Sequence, residues 1–335
     1  MNARCFKTVF SEHLGCLVAV GEHACSQGKS SGESPAGTVV GAAGSAAAVF
    51  IGALVLSMTW VSLAWAQTSG ALAVNALPKA GQVVQGAASM VQSSSPTASQ
   101  LIINQSTQRT AINWQSFDIG AAAKVQVVQP NAQAVLLNRV VGQSPSQIFG
   151  QLQANGHVIL VNPNGVLFGK DGSVNAGSFT ASTLGITDAD FMVGNMVYQR
   201  NGSTAGVVNQ GTLTVVPGGY VVLMGASVSN EGKIIAPQGG VTLGSAATIR
   251  VPVSGSGRIK LELSAADINA SVSNKGQIVS QGGQVYMQAL ALNRAAAQVI
   301  QSGSIDTSGE QAGAVHLLAD GGTIKVDGSI TANSS

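Results

Sequence analysis

Cysteine is confined to the first 25 residues of a chain of 335, at Cys5, Cys16 and Cys25. A chain processed beyond that point would hold no thiol, which excludes a disulfide scaffold and suits a polypeptide that crosses an oxidising compartment before it folds. Charge is also scarce. Asp, Glu, Lys and Arg make up 9% of the residues, against about 25% in ordinary globular domains. There is no basic or acidic block and the formal net charge is +2, so the electrostatic footprint of a nucleic-acid binder is missing. Aromatic residues are only 4%, leaving few platforms for stacking on sugars. The histidines past the leader, His157 and His316, stand alone, and no metal-ligand spacing exists. The carboxylates are scattered, and Asp188 and Asp190 form their only close pair after the leader. A β-helical polysaccharide lyase or hydrolase needs clustered acids on one face. The expectation is therefore no catalytic residue, no metal and no cofactor.

What remains is apolar and β-branched. Hydrophobic residues make up 45% of the chain, enough to bury a core. From Ser34 to Pro78 there is no charge, and inside that stretch Ala46–Leu63 (AAAVFIGALVLSMTWVSL) is almost wholly apolar. Ala64-Trp65-Ala66 follows, a small-x-small cleavage site, so a signal peptide cut between Ala66 and Gln67 is expected.

Past Gln67 no long amphipathic helix is read. Short valine-rich strands recur, read as alternating, for example Gly156–Val161 (GHVILV), Gly219–Met224 (GYVVLM) and Gly283–Met287 (GQVYM). Three stretches starting at Val207, Val228 and Val272 share V-x-N-x-G-x-[LI], a short gap, Gly-Gly, and another strand. Asn209 to Asn230 is 21 positions and Asn230 to Asn274 is 44. The longer interval predicts a divergent coil within Val253–Leu263 (VSGSGRIKLEL). Weaker copies are read at Val299–Ile305 and Val326–Ile330, and an earlier one at Val174–Phe179 (VNAGSF). A period near 21 with two or three strands per repeat predicts an all-β, parallel β-helix. Asn209, Asn230 and Asn274 would stack at one corner, with glycines filling corners that need positive φ. An open coil end needs a cap, and residues 67–104 (Ala, Gln and Ser rich, without the repeat) are expected to supply it. The chain stops at Ile330–Ser335 (ITANSS), just after a repeat begins, which suggests either a fragment of a longer protein or a truncated gene product. The organisation expected is thus leader 1–66, cap 67–104 and coil 105–335.

Four stretches then line up in order: Ile103–Gly120 (INQSTQRTAINWQSFDIG), Val125–Gly169 with VNPNGVLFG at its end, Val174–Thr183 (VNAGSFTAST), and the Asn-x-Gly repeats. Together they resemble the secretion domain of two-partner-secretion exoproteins, the filamentous haemagglutinin family. Met1–Lys29 resembles the extended signal-peptide region of large Gram-negative secreted proteins. The resemblance implies inner-membrane passage through the Sec translocon and periplasmic recognition by an outer-membrane β-barrel transporter with periplasmic domains. It further implies a right-handed β-helix with a non-helical N-terminal cap that folds at the cell surface, with β-helix formation nucleated by this domain. An adhesin or haemagglutinin activity, with its host-cell receptor or glycan, would lie in a region C-terminal to this one. The rival readings are a small self-contained β-helix adhesin and, behind it, a β-helical polysaccharide-degrading enzyme.

The resemblance places its motif on Asn162, Pro163, Asn164 and Gly165. Pro163 fixes φ and Gly165 permits a left-handed residue, so the four make a rigid turn. It either shapes a coil corner or is read by the transporter. Asn104, Gln105, Arg109, Asn113 and Trp114 raise the same choice, Trp114 and Phe117 reading first as core aromatics. Arg109 and Arg139 are expected to pair with Asp118 or a backbone carbonyl.

Overall fold

The computed structural model describes residues 6–11, 16–21, 71–251, 262–264 and 269–335. The chain divides into two units, Met1–Ala66 and Gln67–Ser335. In the first, Phe6–Ser11 and Cys16–Gly21 pair as antiparallel strands. The expected cleavage point at Ala66 and Gln67 and the apolar run Ala46–Leu63 lie outside the described residues. Among the described residues no helix is long and apolar enough to cross a membrane.

The second unit is a parallel β-helix with three faces, sheets of ten, nine and seven strands. One coil shows the plan. Gly206–Asn209 lies in the seven-stranded sheet, Thr212–Val215 in the ten-stranded sheet and Tyr220–Met224 in the nine-stranded sheet. The chain then re-enters the seven-stranded sheet at Ser227–Asn230, in register with the coil before, Val207 against Val228 and Asn209 against Asn230. Register is held because one face of each strand must point inward, and a slip of one residue would turn it out. The interior is built of columns, such as Val125, Leu152, Val174, Leu213, Ile234 and Ile278, all buried and each paired to the next.

The N-terminal end is closed by antiparallel strands. Gln82–Gln85 covers Arg109–Trp114 at the edge of the nine-stranded sheet, and Ala88–Ser94 covers Ser99–Gln105 at the edge of the ten-stranded one. Ser99–Gln105 itself runs parallel to Ala123–Val128, so this strand belongs to the first coil and straddles residue 104.

Three expectations are corrected. First, the described strands leave no place for the further coil expected at Val253–Leu263. Most of it lies outside the described residues, but the strands before and after it pair directly on all three faces: Asn230 with Asn274, Ile234 with Ile278, and Val241 with Val285. No further coil fits between neighbours so paired. Glu262–Ser264 instead pairs antiparallel with Thr248–Arg250, which pairs with Val197–Gln199 in a small separate sheet. Second, Val174–Phe179 is not an early copy of the Asn-x-Gly corner. Asn175 is exposed in the ten-stranded sheet, opposite Thr214 rather than Asn209. Third, the Asn-x-Gly glycines are not there for positive φ, although Gly218 and Gly282 of the Gly-Gly pairs are, at φ 79° and 69°. Gly211, Gly232 and Gly276 are absent from the positive-φ positions among the described residues. A Cβ on each would lie about 2 Å from a carbonyl of the preceding coil: 2.2 Å from Gly172 O, 2.2 Å from Gly211 O and 2.1 Å from Gly232 O. These positions need glycine because the coils touch there.

The nine-stranded sheet differs from the other two. His157–Val161, Tyr220–Met224 and Gly240–Ser245 are buried at every residue. They do not alternate, because both faces of the sheet are covered. Inward residues such as Val158, Leu160, Val221 and Leu223 join the interior. Outward residues such as Ala111, Leu137, Ile159 and Val222 form a second cluster with side chains from an insert on the outside of the coil. The insert contains the short helix Asp188–Val193 and the small antiparallel sheet. Thr187 caps the helix by accepting from Asp190 N, and Gly194 ends it at φ 79°.

Candidate recognition site

The Asn-Pro-Asn-Gly turn joins His157–Val161 of the nine-stranded sheet to Val166–Phe168 of the seven-stranded sheet. It has an inner and an outer half. Asn162 and Gly165 are buried, while Pro163 and Asn164 are exposed. Asn162 fastens three coils. Its backbone N–H donates to Ser182 O at 2.9 Å in the following coil. Its Nδ2 donates to Ser144 O and Ser146 Oγ, both at 3.0 Å, in the preceding one. Its Oδ1 accepts from Asn164 N at 2.9 Å and Asn164 Nδ2 at 3.2 Å, closing an Asx turn. Asn164 Nδ2 also donates to Gly142 O at 2.9 Å. Gly165 has φ 118°, closed to a side chain without strain, and its N–H donates to Asn162 O at 3.1 Å. Pro163 O accepts from Ser203 Oγ at 2.6 Å. Pro163 and the outer edge of Asn164 are what a partner could touch on the folded domain.

The second group of candidates is divided by the fold. Asn104 is exposed at the end of its strand. Gln105 is buried, donating to Thr107 O at 2.6 Å and Val135 O at 3.1 Å and accepting from Gln129 Nε2 at 3.1 Å. Gln129, which the sequence reading missed, is a buried hub that also donates to Ala134 O and His157 O and accepts from Gly156 N. A lone glutamine in a strand-end turn gave no signal for it. Trp114 points into the coil, 2% exposed. It meets the edge of Phe117 at 5.6 Å and donates from Nε1 to the buried Asn138 Oδ1 at 3.0 Å. Such a tryptophan is satisfied on both counts, packing and polarity.

Arg109 and Asn113 face outward, beneath the insert. Arg109 Nη1 donates to Phe191 O at 3.0 Å, with the guanidinium over the Phe191 ring at 5.5 Å. Asn113 Oδ1 accepts from Arg139 Nη1 at 3.2 Å. Arg139 Nη2 donates to Ile186 O at 2.8 Å and pairs with Asp188 at 2.6 Å. The expected partner Asp118 takes neither arginine and instead accepts from Gln147 N at 3.0 Å. The carbonyl half of that expectation stands. Asp190 is also engaged: hydrogen bonds from Thr187 and then Asn195 lower its pKa from the ordinary value. Among the described residues no group of three or more His, Cys, Asp or Glu is placed to hold a metal ion.

The corner asparagines form a buried chain of side-chain hydrogen bonds. Asn209 Nδ2 donates to Asn230 Oδ1 and Asn230 Nδ2 to Asn274 Oδ1, both at 2.7 Å, and Asn274 Nδ2 donates to Gln301 Oε1 at 2.8 Å. Gln301 ends the ladder by donating to Gly303 O and Ser329 O. Its longer side chain takes the asparagine place in a copy that reads as weak in the sequence.

His157 lies in the outer cluster, its ring bonded to Thr180 Oγ1 at 3.1 Å and Tyr220 Oη at 2.8 Å. Burial, and then the charge of Arg109, lowers its pKa from 6.5 to about 3. Burial raises that of Tyr220, so its hydroxyl stays protonated. The unfolded chain takes up a proton at this histidine near pH 6.5 and the folded one does not. Stability is therefore complete above about pH 6.5 and falls as pH drops toward 3, by about 1.4 kcal/mol per unit. Urea titrations at pH 7 and pH 5 should differ by about 2 kcal/mol in the native protein, and His157→Gln should flatten that slope. The stability contributed by the carboxylates with lowered pKa, Asp190, Glu231 and Asp306, is fully present above their ordinary 3.8 to 4.5 and is lost only as pH falls below that range.

Comparison with known proteins agrees with this geometry. A family model described as the TPS secretion domain matches residues 75–334, and one described as the extended signal peptide of the type V secretion system matches residues 1–51. The secretion domain of HMW1 from Haemophilus influenzae superposes with a TM-score of 0.67 at 30% identity, over 76% of this chain and 66% of that one. A filamentous haemagglutinin secretion domain aligns at 14% identity with a TM-score of 0.42, covering 77% of this chain and 97% of that one. A heme/hemopexin-binding protein of Haemophilus influenzae is 37% identical over 171 residues, 49% of this chain and 18% of its own length. The chain thus corresponds to under a fifth of that relative.

Proposed function

The chain belongs to the TPS secretion-domain family, and from that premise we propose that it is the module that directs a secreted exoprotein to its outer-membrane two-partner transporter. The observation that carries this is the order of the two family matches, an extended type V signal followed by a secretion domain over most of the remaining chain. The proposed path is Sec-dependent entry to the periplasm, cleavage between Ala66 and Gln67, recognition by the periplasmic domains of the β-barrel, and folding at the cell surface. Residues 67–104 hold the strands that close the N-terminal end, Gln82–Gln85 and Ala88–Ser94, and the first strand of the coil, Ser99–Gln105, which residues 105–335 continue. Coil growth from this end gives the export a direction, since each added coil buries a new set of apolar side chains. The effector activity belongs to sequence beyond this module. An adhesin is the reading that the sequence resemblance to the filamentous haemagglutinin family implies, and the name of the Haemophilus relative adds haem and haemopexin binding as a class to assay.

The test is export. Met1–Ser335 is expressed in a Gram-negative host with and without the transporter from the same genome, and the medium is probed for Gln67–Ser335. Release only with the transporter is expected. Release without it, or none with it, overturns the proposal.

A further inference from the structure

Asparagine followed by glycine occurs three times in the chain, at Asn155, Asn164 and Asn201. The pair is chemically reactive, because the N–H of a glycine, with no side chain in the way, can reach the asparagine amide carbon. Exposure does not separate the three sites, since all of these asparagines are exposed. Their hydrogen bonds do. Asn155 accepts from Gln129 N at 2.8 Å and donates to Gln129 O at 2.9 Å, while Gly156 N donates to Gln129 Oε1 at 2.9 Å. Asn164 Nδ2 donates to Gly142 O and Asn162 Oδ1, while Gly165 N donates to Asn162 O. At both sites the side chain is pinned and the attacking nitrogen is engaged in a buried glycine. Asn201 and Gly202 are exposed together. Among the described residues neither the Asn201 side chain nor Gly202 N makes a hydrogen bond. The two form the centre of a turn, with φ 48° and 81°, closed by Ser203 N donating to Arg200 O at 2.9 Å. A Cβ on Gly202 would meet open space, so nothing packs on the turn and its opening is easy.

We propose that Asn201 is a site of spontaneous deamidation in the folded domain, and that folding shields Asn155 and Asn164 from the same reaction. Gly202 N attacks Asn201 Cγ. The new C–N bond closes a five-membered succinimide, the Cγ–Nδ2 bond breaks, and ammonia leaves with the proton that Gly202 N gave up. Water then opens the ring. Addition at Cγ gives aspartate, and addition at the main-chain carbonyl gives isoaspartate, whose backbone runs through Cγ. No electron is transferred, and water is the sole co-reactant. The product changes more than one side chain. It puts a carboxylate on the small cleft that Asn201 shares with Asp190. The isoaspartyl form also lengthens the main chain by one carbon inside the Arg200–Ser203 turn. Ser203 Oγ donates to Pro163 O at 2.6 Å and Arg200 Nη1 to Asn269 O at 3.2 Å. Rearrangement at residue 201 therefore disturbs a contact that props the outer half of the Asn-Pro-Asn-Gly turn. The inference is independent of the transporter reading, since it follows from the bonding of three dipeptides.

The experiment uses purified Gln67–Ser335, the second compact unit, incubated at mildly alkaline pH with and without urea, its fold followed by circular dichroism. Peptide mass mapping reads the amide-to-acid change at each of the three asparagines. In the folded domain Asn201 should convert at least about tenfold faster than Asn155 or Asn164, which must wait for local opening. In urea the three rates should come within a few-fold of one another, because the next residue is glycine in each. Asn201→Gln, which would need a larger ring, should remove the native-state reaction, and Gly202→Ala should slow it. Similar rates at the three sites in the folded domain overturn the proposal. So does an Asn201 that stays intact over a period in which the urea-unfolded chain converts, or ammonia release that persists in Asn201→Gln. Amide hydrogen exchange at Ser203 tests the reach toward the motif turn. It should be faster in the isoaspartyl fraction than in Asn201→Asp, which carries the charge without the longer backbone. Equal exchange in the two would confine the effect to the charge.

Discussion

Gly232→Ala should destabilise the domain by about 3 kcal/mol, although the residue is not in a left-handed conformation. A methyl group there would sit 2.2 Å from Gly211 O. That carbonyl accepts from Lys233 N at 2.8 Å, so it cannot retreat without loosening a bond between coils. Overpacking costs about 1–3 kcal/mol, and the weakened bond adds about 1. The coils above repeat the geometry, since a Cβ on Gly276 would lie 2.1 Å from Gly232 O and one on Gly303 2.0 Å from Gly276 O. Relief by shifting one coil therefore presses on the next. Gly202 is the contrasting site, with φ 81° and open space where a Cβ would sit. Alanine there should cost only about 1 kcal/mol, the ordinary left-handed penalty, and asparagine less. Urea midpoints for Gly232→Ala, Gly232→Asn, Gly202→Ala and Gly202→Asn separate the two causes. Relative to alanine, asparagine should help at 202 and worsen matters at 232. Equal effects at the two glycines would mean that the coil spacing yields more easily than these contacts indicate.

The glycines show what the sequence could and could not reveal. The Asn-x-Gly period was visible because the ladder needs the same residue at each coil, and side chains in register repeat in the sequence. The reason for the glycine was not visible, because a turn glycine and a contact glycine look alike in one dimension. The same limit explains the missing coil at Val253–Leu263. An interval of 44 suggests two periods, and only the direct pairing of Asn230 with Asn274 shows an excursion that leaves the coil and returns. The outer cluster had a signal that was passed over. HVILV and YVVLM are continuous apolar runs, and a strand buried on both faces reads that way. Taken as alternating strands they hid the insert, and with it the partners of Arg109 and Arg139. Those partners, Phe191, Ile186 and Asp188, lie 47 to 82 positions away, beyond any local pattern.

The motif turn supplies the remaining large effect, because its two halves should fail in different ways. Asn162→Ala removes a buried amide that bonds to Ser144, Ser146 and Asn164. Several polar groups lose their partner inside the corner, and about 3 kcal/mol of stability should go with them. Export and fold should fall together in this variant. Pro163 and Asn164 are exposed, so Pro163→Ala with Asn164→Ala should cost only about 1–2 kcal/mol, through a looser unfolded-state restraint and the lost bond to Gly142 O. If the transporter reads the turn, this double variant keeps its β-type circular dichroism and its urea transition, yet its transporter-dependent release falls at least about tenfold, the equivalent of about 1.4 kcal/mol of lost recognition. That outcome is expected, because the outer half presents a fixed proline and an amide at a corner whose inner half already suffices to hold three coils together. Unchanged release from the double variant would assign the whole motif to the corner. The exposed pair would then be conformational, and the transporter would have to read residues other than this turn.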